Sequence, residues 1–335
     1  FRRFASPDFE LARRAFSNIA ETEHPCAILA YDTAAVSLLP PTSKRHARIG
    51  ILVDLPQANT KARLTGLGQM RGMKRLKELL LLAANRKAQK WLLEDLRSLS
   101  AIVEHAYHHA EALKQQVDVP VTYIPHCMPG PEDARQLFVE PQYAGEYTLL
   151  IMGSLKGATS RLGFQFLLDN LLPQLRVKAT KLNHPFRIRI LGHGEMLPSL
   201  RRRLEEQPEI RFAPFAGSRD AIASEYANAH VVLVPIPVRV GFRTRIAEAF
   251  GYGKCVVAHS ANCYGMPEVK DGVNALCAES GEELAERIIQ VLKNDSLRSS
   301  IAKAARSTFE QNYSINAMRN CVGALLERHA GQAFR

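Results

Sequence analysis

Six short apolar runs, at 148–152, 187–191, 210–212, 231–235, 255–259 and 275–277, alternate with amphipathic segments through the second half of the chain. No other feature constrains the fold as strongly. Runs of three to five residues are too short for helices, and near-continuous apolar character requires cover on both faces. The segments between them, 164–175, 197–205, 220–227 and the stretch carrying Glu248, space their apolar residues as a helix does. Strand and helix in succession predict a parallel sheet between two helical layers. Further helices are expected at 282–293, 297–311 and 317–329.

The first half repeats the theme more loosely, with strands expected at 26–31, 49–53, 101–103 and 121–124 and a long helix at about 70–97. A Pro/Gly/acidic stretch at 125–147 reads as a linker. The expected class is α/β, with two Rossmann-like domains whose parallel sheets face each other across a cleft. Their bounds would be 1–127 and 147–312, joined by 128–146, with a C-terminal helix at 313–335 crossing back to the first domain. Open parallel sheets take ligands outside the carboxyl ends of their strands.

Net charge narrows the partners. The chain carries +11 at neutral pH, which suits phosphorylated ligands, anionic lipid or nucleic acid. Residues 61–90 concentrate the excess: Lys61, Arg63, Arg71, Lys74, Arg75, Lys77, Arg86, Lys87 and Lys90 face one acid, Glu78. Aromatic platforms for bases are lacking there, so nucleic acid is not expected. Leucines beside the basic positions fit a helix lying on an anionic membrane, or equally a helix packing on its own domain. The six cysteines show neither C-x-x-C nor zinc spacing. The longest aliphatic block is far too short to span a bilayer. A cytoplasmic protein, or one peripheral on the inner face of the membrane, is the expectation.

Residues 239–272 carry the chemistry. A strand runs into Gly241-Phe242-Arg243-Thr244-Arg245, a helix opens, and a second strand follows. Exposed backbone N–H groups and the helix dipole at such an opening favour a phosphate. Arg243 and Arg245 would add positive charge, unfavourable beside a helix N-terminus unless an anion offsets it. Glu248, about one turn in, could accept bonds from the two hydroxyls of a ribose. Together these describe a pocket for a nucleoside diphosphate.

MGSLKG (152–157), ILGHGE (190–195), ANAHVVLVPIPVRVGFRTRIAEAFGYGKCVVAH (227–259) and YGMPEVKDGVNAL (264–276) occur in the order and spacing of a known family. Over roughly 148–315, and weakly over 21–127, the chain resembles the retaining, nucleotide-sugar-dependent glycosyltransferases of the GT-B fold, family 4. The resemblance implies roles. Gly153, Lys156, Arg161, Gly241, Phe242, Arg243 and Arg245 would hold the donor diphosphate, so that no metal is required. Glu248, the second glutamate of an E-x7-E motif, would hold the ribose, and Pro214 and Phe215 would contact the base. Val240, Ser260 and Asn262 would lie near the donor sugar. Asp32 and Asp54, after strand ends in the acceptor half, would be the catalytic candidates, although each also reads as a helix cap or turn aspartate. His126 reads as a packing residue of the hinge.

Two departures accompany the resemblance. Position 240, where the family has the first glutamate of E-x7-E, is valine. The opening strands of the family's amino-terminal domain have no counterpart before residue 26. The implied activity is transfer of a hexosyl group, with retention, from a UDP-, GDP- or ADP-sugar to a hydroxyl of a glycan, lipid-linked glycan or lipopolysaccharide, without a separate cofactor. The other reading is an inactive module that binds a nucleotide-sugar or a partner protein. A dinucleotide oxidoreductase is disfavoured, since G-x-G-x-x-G is absent from both first strand–helix turns.

Overall fold

Two parallel sheets account for the apolar runs. The computed structural model describes residues 14, 27–39, 47–52, 72–131, 141, 145–213 and 217–333. The chain divides into two units, 1–125 with 319–335, and 126–318.

In the first unit, β1 (Ala27–Tyr31), β2 (Ala47–Leu52), β3 (Ala101–Glu104) and β4 (Val121–Tyr123) form a parallel sheet in the order β1-β2-β3-β4. The short helix α1 (Thr33–Val36) follows β1, α2 (Gly72–Leu96) precedes β3, and α3 (Tyr107–Lys114) joins β3 to β4. Ile28, Ala30, Leu52, Leu92, Leu96 and Ile102 meet in its core.

The second unit holds a six-stranded sheet. Its strands are β5 (Tyr147–Met152), β6 (Phe186–Leu191), β7 (Ile210–Ala213), β8 (Val231–Val234), β9 (Val256–His259) and β10 (Leu276–Ala278). All pairs are parallel and the order is β10-β9-β8-β5-β6-β7. Successive side chains on a strand point to opposite faces. Leu149 and Ile151 of β5, with Val231 and Leu233 of β8, therefore join one buried cluster. Leu150, Met152, Val232 and Val234 join the cluster on the other face. This double burial is the reason the runs read as continuous rather than alternating.

Helices cover both faces. The helix expected at 164–175 runs longer, from α4 (Ala158–Phe166) through a π turn (Leu167–Leu171) into α5 (Leu172–Ala179). Pro173, which has no N–H to donate, is the second residue after that widened turn. Next come α6 (Pro198–Glu205), α7 (Arg219–Ala227), α8 (Thr244–Gly251) and a 3-10 turn (Ser260–Gly265). α9 (Gly281–Lys293) starts on a capping box between Ser280 and Glu283. α10 (Asp295–Asn312) and α11 (Ile315–Ala333) complete the chain, and α11 passes from the second unit into the first at residue 319. Residues 126–131, expected partly as linker, belong with the second unit. There Met128 N–H donates to the Tyr313 carbonyl at 2.8 Å.

Candidate functional site

The strand order places a crevice in the second unit. From β5 the chain moves outward on one side through β6 and β7, then returns to the other side at β8. Connections leaving the neighbours β5 and β8 thus diverge, and the gap at their carboxyl ends is where such sheets take ligands. A cavity of about 370 Å³ lies there. Its lining includes Gly153 and Ser154 after β5, Gly192 and His193 after β6, and Thr244, Arg245 and Glu248 of α8.

Two glycines make this floor. Gly153 has φ +125°, and a Cβ on it would stand 2.8 Å from the Arg245 guanidinium. Gly192 is tighter still, because a Cβ there would stand 2.0 Å from the Gly153 carbonyl oxygen. Only the missing side chains let the two loops touch and the guanidinium lie over them. A hydrogen bond from Leu155 N–H to the His193 carbonyl, 2.9 Å long, fastens the same loops.

The two arginines at the start of α8 do different things. Arg245 reaches across to β5, with its guanidinium 3.5 Å from the Ser160 hydroxyl, and lines the cavity. Burial lowers its pKa, opposed by Tyr226 and Glu248. Arg243 is absent from the lining. Its Nε donates to Asn262 Oδ1 at 2.7 Å and one terminal nitrogen donates to the Val238 carbonyl at 2.8 Å. Burial, with the charge of Arg245, pushes its pKa down to about 10. Arg243, expected at a diphosphate, thus holds the loop before α8 against the 3-10 turn. The helix also opens at Thr244, three residues after Gly241. Gly241, with φ +57°, belongs to the preceding turn.

Asn262, expected near the donor sugar, is the partner of Arg243. It is 1% exposed, and its amide nitrogen donates to the carbonyls of His259 at 2.7 Å and Ile236 at 3.1 Å while its oxygen takes the Arg243 bond. That amide is thus engaged within the protein. Phe242 packs edge-on between His126 and Tyr313, with ring centroids 5.4 and 5.6 Å away. Phe242, half-buried, thus packs against the core cluster of this unit and His126 packs against Phe242.

Glu248 does line the cavity. Tyr226 of α7 donates its hydroxyl to Glu248 Oε2 at 3.0 Å. Burial raises the Glu248 pKa, while the Tyr226 bond and the Arg245 charge work against that rise. Tyr226 is fully buried and stacks on Tyr252 at 4.4 Å between centroids. Sequence reasoning missed this tyrosine and Gly192's contact. Tyr226 lies 22 residues before its partner, so no local spacing connects them. The one available signal is a large phenol among small residues in RDAIASEYA.

The remaining expectations scatter. Lys156 and Arg161 are exposed and line a second cavity of about 370 Å³ with Glu195, apart from the first. Val240 and Ser260 are half-buried and outside both linings. In the first unit, Asp32 ends β1 at φ +77°, and its carbonyl accepts from Ala35 and Val36 N–H, as at the start of a helical turn. Asp54, Pro214 and Phe215 lie outside the described residues, as do residues 53–71 of the basic segment.

Comparison with known proteins bears on the fold. Residues 146–294 match the family described as glycosyl transferases group 1. That segment contains every residue lining the first cavity. No curated protein sequence matches the chain. Among solved structures, sucrose-phosphate synthase from Thermosynechococcus elongatus superposes with a TM-score of 0.65 at 15% identity, covering 96% of this chain and 79% of that one. HepE from Anabaena, in complex with UDP and glucose, gives 0.63 at 17% identity, covering 96% and 83%. TarM gives 0.67 at 13% identity over 95% of this chain, which spans only 58% of TarM. At these identities the likeness is one of fold, and the fold is GT-B.

Proposed function

We propose that the protein is a glycosyltransferase that binds a nucleotide-sugar through the cavity at Gly153, Arg245 and Glu248 and transfers the sugar to a hydroxyl acceptor with retention. One observation carries the reading: a guanidinium lies against the glycine ending β5, at the amino end of a helix, with a carboxylate one turn further along in the same cavity. Cation, helix N-terminus and glycine loop suit a diphosphate, and the carboxylate suits a diol. The leaving diphosphate acquires charge as the sugar departs. Arg245, held by burial and by Ser160, is placed to stabilise that charge without rearranging. In retention on one face, the same diphosphate accepts the proton of the incoming hydroxyl, and no protein nucleophile is needed. HepE, solved with UDP-glucose, supports a UDP-sugar as the first donor to test.

Lys156 and Arg161, in the neighbouring cavity, would assist the diphosphate only if the 153–157 loop closes over it. The acceptor is a glycan, a lipid-linked glycan or a lipopolysaccharide, and of the two aspartates expected to serve catalysis Asp32 is the one among the described residues. An anionic membrane fits the exposed face of α2, as argued in the Discussion. The test is release of nucleoside diphosphate from UDP-, GDP- and ADP-sugars by the full chain. Transfer should require one of them and should fall at least tenfold in Arg245→Ala. Val240, where the resembling family has glutamate, favours the second reading of an inactive nucleotide-sugar-binding module. Binding without turnover would select it.

A further inference from the structure

The Glu248 carboxylate does not stand alone in its cavity. Tyr226 approaches it from behind, on a different helix, with no route to solvent. Burial and the adjacent carboxylate hold the phenol pKa well above its ordinary value, so the hydroxyl stays protonated. Its hydrogen is then directed to Glu248 Oε2 and cannot be withdrawn by ionisation. Tyr252 stacks on the phenol ring at 16° between planes, which fixes where the hydroxyl points. A carboxylate pinned through one oxygen has its plane set, and its other oxygen is the one a ligand meets first.

We propose that Tyr226 is a positioning residue that orients the Glu248 carboxylate to chelate two vicinal hydroxyls, and that this makes the site select ribose over deoxyribose. The proposal rests on the nucleotide reading of the cavity and extends it to a residue that touches no ligand. A freely rotating carboxylate must first be ordered to accept both hydroxyls, and that entropy offsets part of the second bond. A fixed one loses a full charge-assisted bond when the second hydroxyl is missing. The charged and titratable groups acting on the Glu248 carboxylate are Tyr226 from α7 and Arg245 from α8, while His193, from the loop after β6, lines the same cavity. Of these, Tyr226 and Arg245 favour the ionised form against burial. Loss of the hydroxyl alone should therefore raise the Glu248 pKa further.

Tyr226→Phe keeps the stacked ring and removes the hydroxyl. Two measurements follow on the full-length protein: carbon-13 NMR titration of the Glu248 carboxyl, and calorimetric affinities for UDP, GDP and ADP with their 2′-deoxy counterparts. The unmodified protein should prefer the ribonucleotide by about tenfold or more, the effect of one hydrogen bond to a charged group. In Tyr226→Phe the preference should shrink to about threefold or less, and Glu248 should titrate at higher pH. If that variant does not fold, Glu248→Asp, which draws the carboxylate back from the hydroxyl, should show the same loss of preference. A tenfold preference surviving in either variant overturns the proposal, as does an unchanged Glu248 titration in Tyr226→Phe. If none of the three diphosphates binds the unmodified protein, the nucleotide reading fails, and ribose selection fails with it. The titration would still show whether Tyr226 governs the carboxylate.

Discussion

Arg243 and Arg245 show how far residue type alone carries the reading. Two arginines at a helix opening look interchangeable in sequence, and both suit a phosphate. Arg243, however, is the non-helical residue before α8 and Arg245 the second residue of the helix, so their side chains leave in different directions. Arg243 turns inward to Asn262 and the Val238 carbonyl. Which arginine faces the cavity depended on contacts 19 residues distant. Their substitutions should separate accordingly. Arg245→Ala should weaken nucleoside diphosphate binding at least tenfold and leave the free nucleoside nearly unaffected, as read by calorimetry. Arg243→Ala should instead lower stability by about 2–4 kcal/mol, since two buried acceptors lose their donors. Chemical denaturation checks the second value. Equal effects of the two changes on affinity would refute the division of labour.

At the scale of elements, the expected strands that fall among the described residues were legible; in β8 and β9 burial on both faces leaves an unbroken apolar run, whereas β6, FRIRIL, alternates buried and half-buried positions. Helix limits were less legible. The π turn at Leu167–Leu171 and the start of α8 at Thr244 rest on backbone geometry that side-chain periodicity does not encode. Helix α2 resolves an ambiguity that sequence left open. Leu82, Leu92 and Leu96 are buried, so part of the helix packs on its own unit. Met73, Leu76 and Leu80 lie on the opposite side by helical spacing and are 79%, 53% and 64% exposed. Arg75, Lys77, Arg86, Lys87 and Lys90 are exposed on the same helix. Apolar side chains flanked by cations fit the surface of an anionic bilayer. Among the described residues no helix is long and apolar enough to cross one. Flotation with phosphatidylglycerol vesicles should show binding that fades between about 0.05 and 0.5 M salt. Leu76→Asp with Leu80→Asp should abolish it, and binding indifferent to both salt and these changes would remove α2 from the account. Gly192→Ala tests the loops after β5 and β6. A Cβ 2.0 Å from the Gly153 carbonyl sets backbone against backbone, so a loss of several kcal/mol is expected. A variant as stable as the parent would show that the loops do not touch.

For the whole molecule, acid should be destabilising through His230. Its Nδ1 accepts from the Thr148 N–H at 3.0 Å, which requires that nitrogen to be unprotonated. Burial first, then the charges of Arg298 and Lys254, push its pKa down to about 4. The unfolded chain therefore takes up a proton from about pH 6.5, before the folded one does. Stability contributed by the neutral ring is complete above that pH, declines as pH falls, and is gone below about pH 4, a change of up to about 3 kcal/mol. Denaturation at pH 7 and pH 4.5 should show this loss, and His230→Gln should reduce it. A pH dependence unchanged in that variant would assign the effect to other groups. The parallel sheets were readable from the alternation of apolar and amphipathic segments, and the GT-B fold from the resemblance that the glycine-bearing motifs carry, whereas Tyr226 and the inward turn of Arg243 depend on packing between segments far apart in sequence. The central claim is that a nucleotide's diphosphate rests between Gly153 and Arg245, with its ribose at Glu248. A crystal structure of the full chain soaked with UDP-glucose tests it most directly. The account predicts phosphate oxygens within hydrogen-bonding distance of the Arg245 guanidinium and ribose hydroxyls on Glu248. Nucleotide bound elsewhere, with that cavity left to solvent, would contradict it.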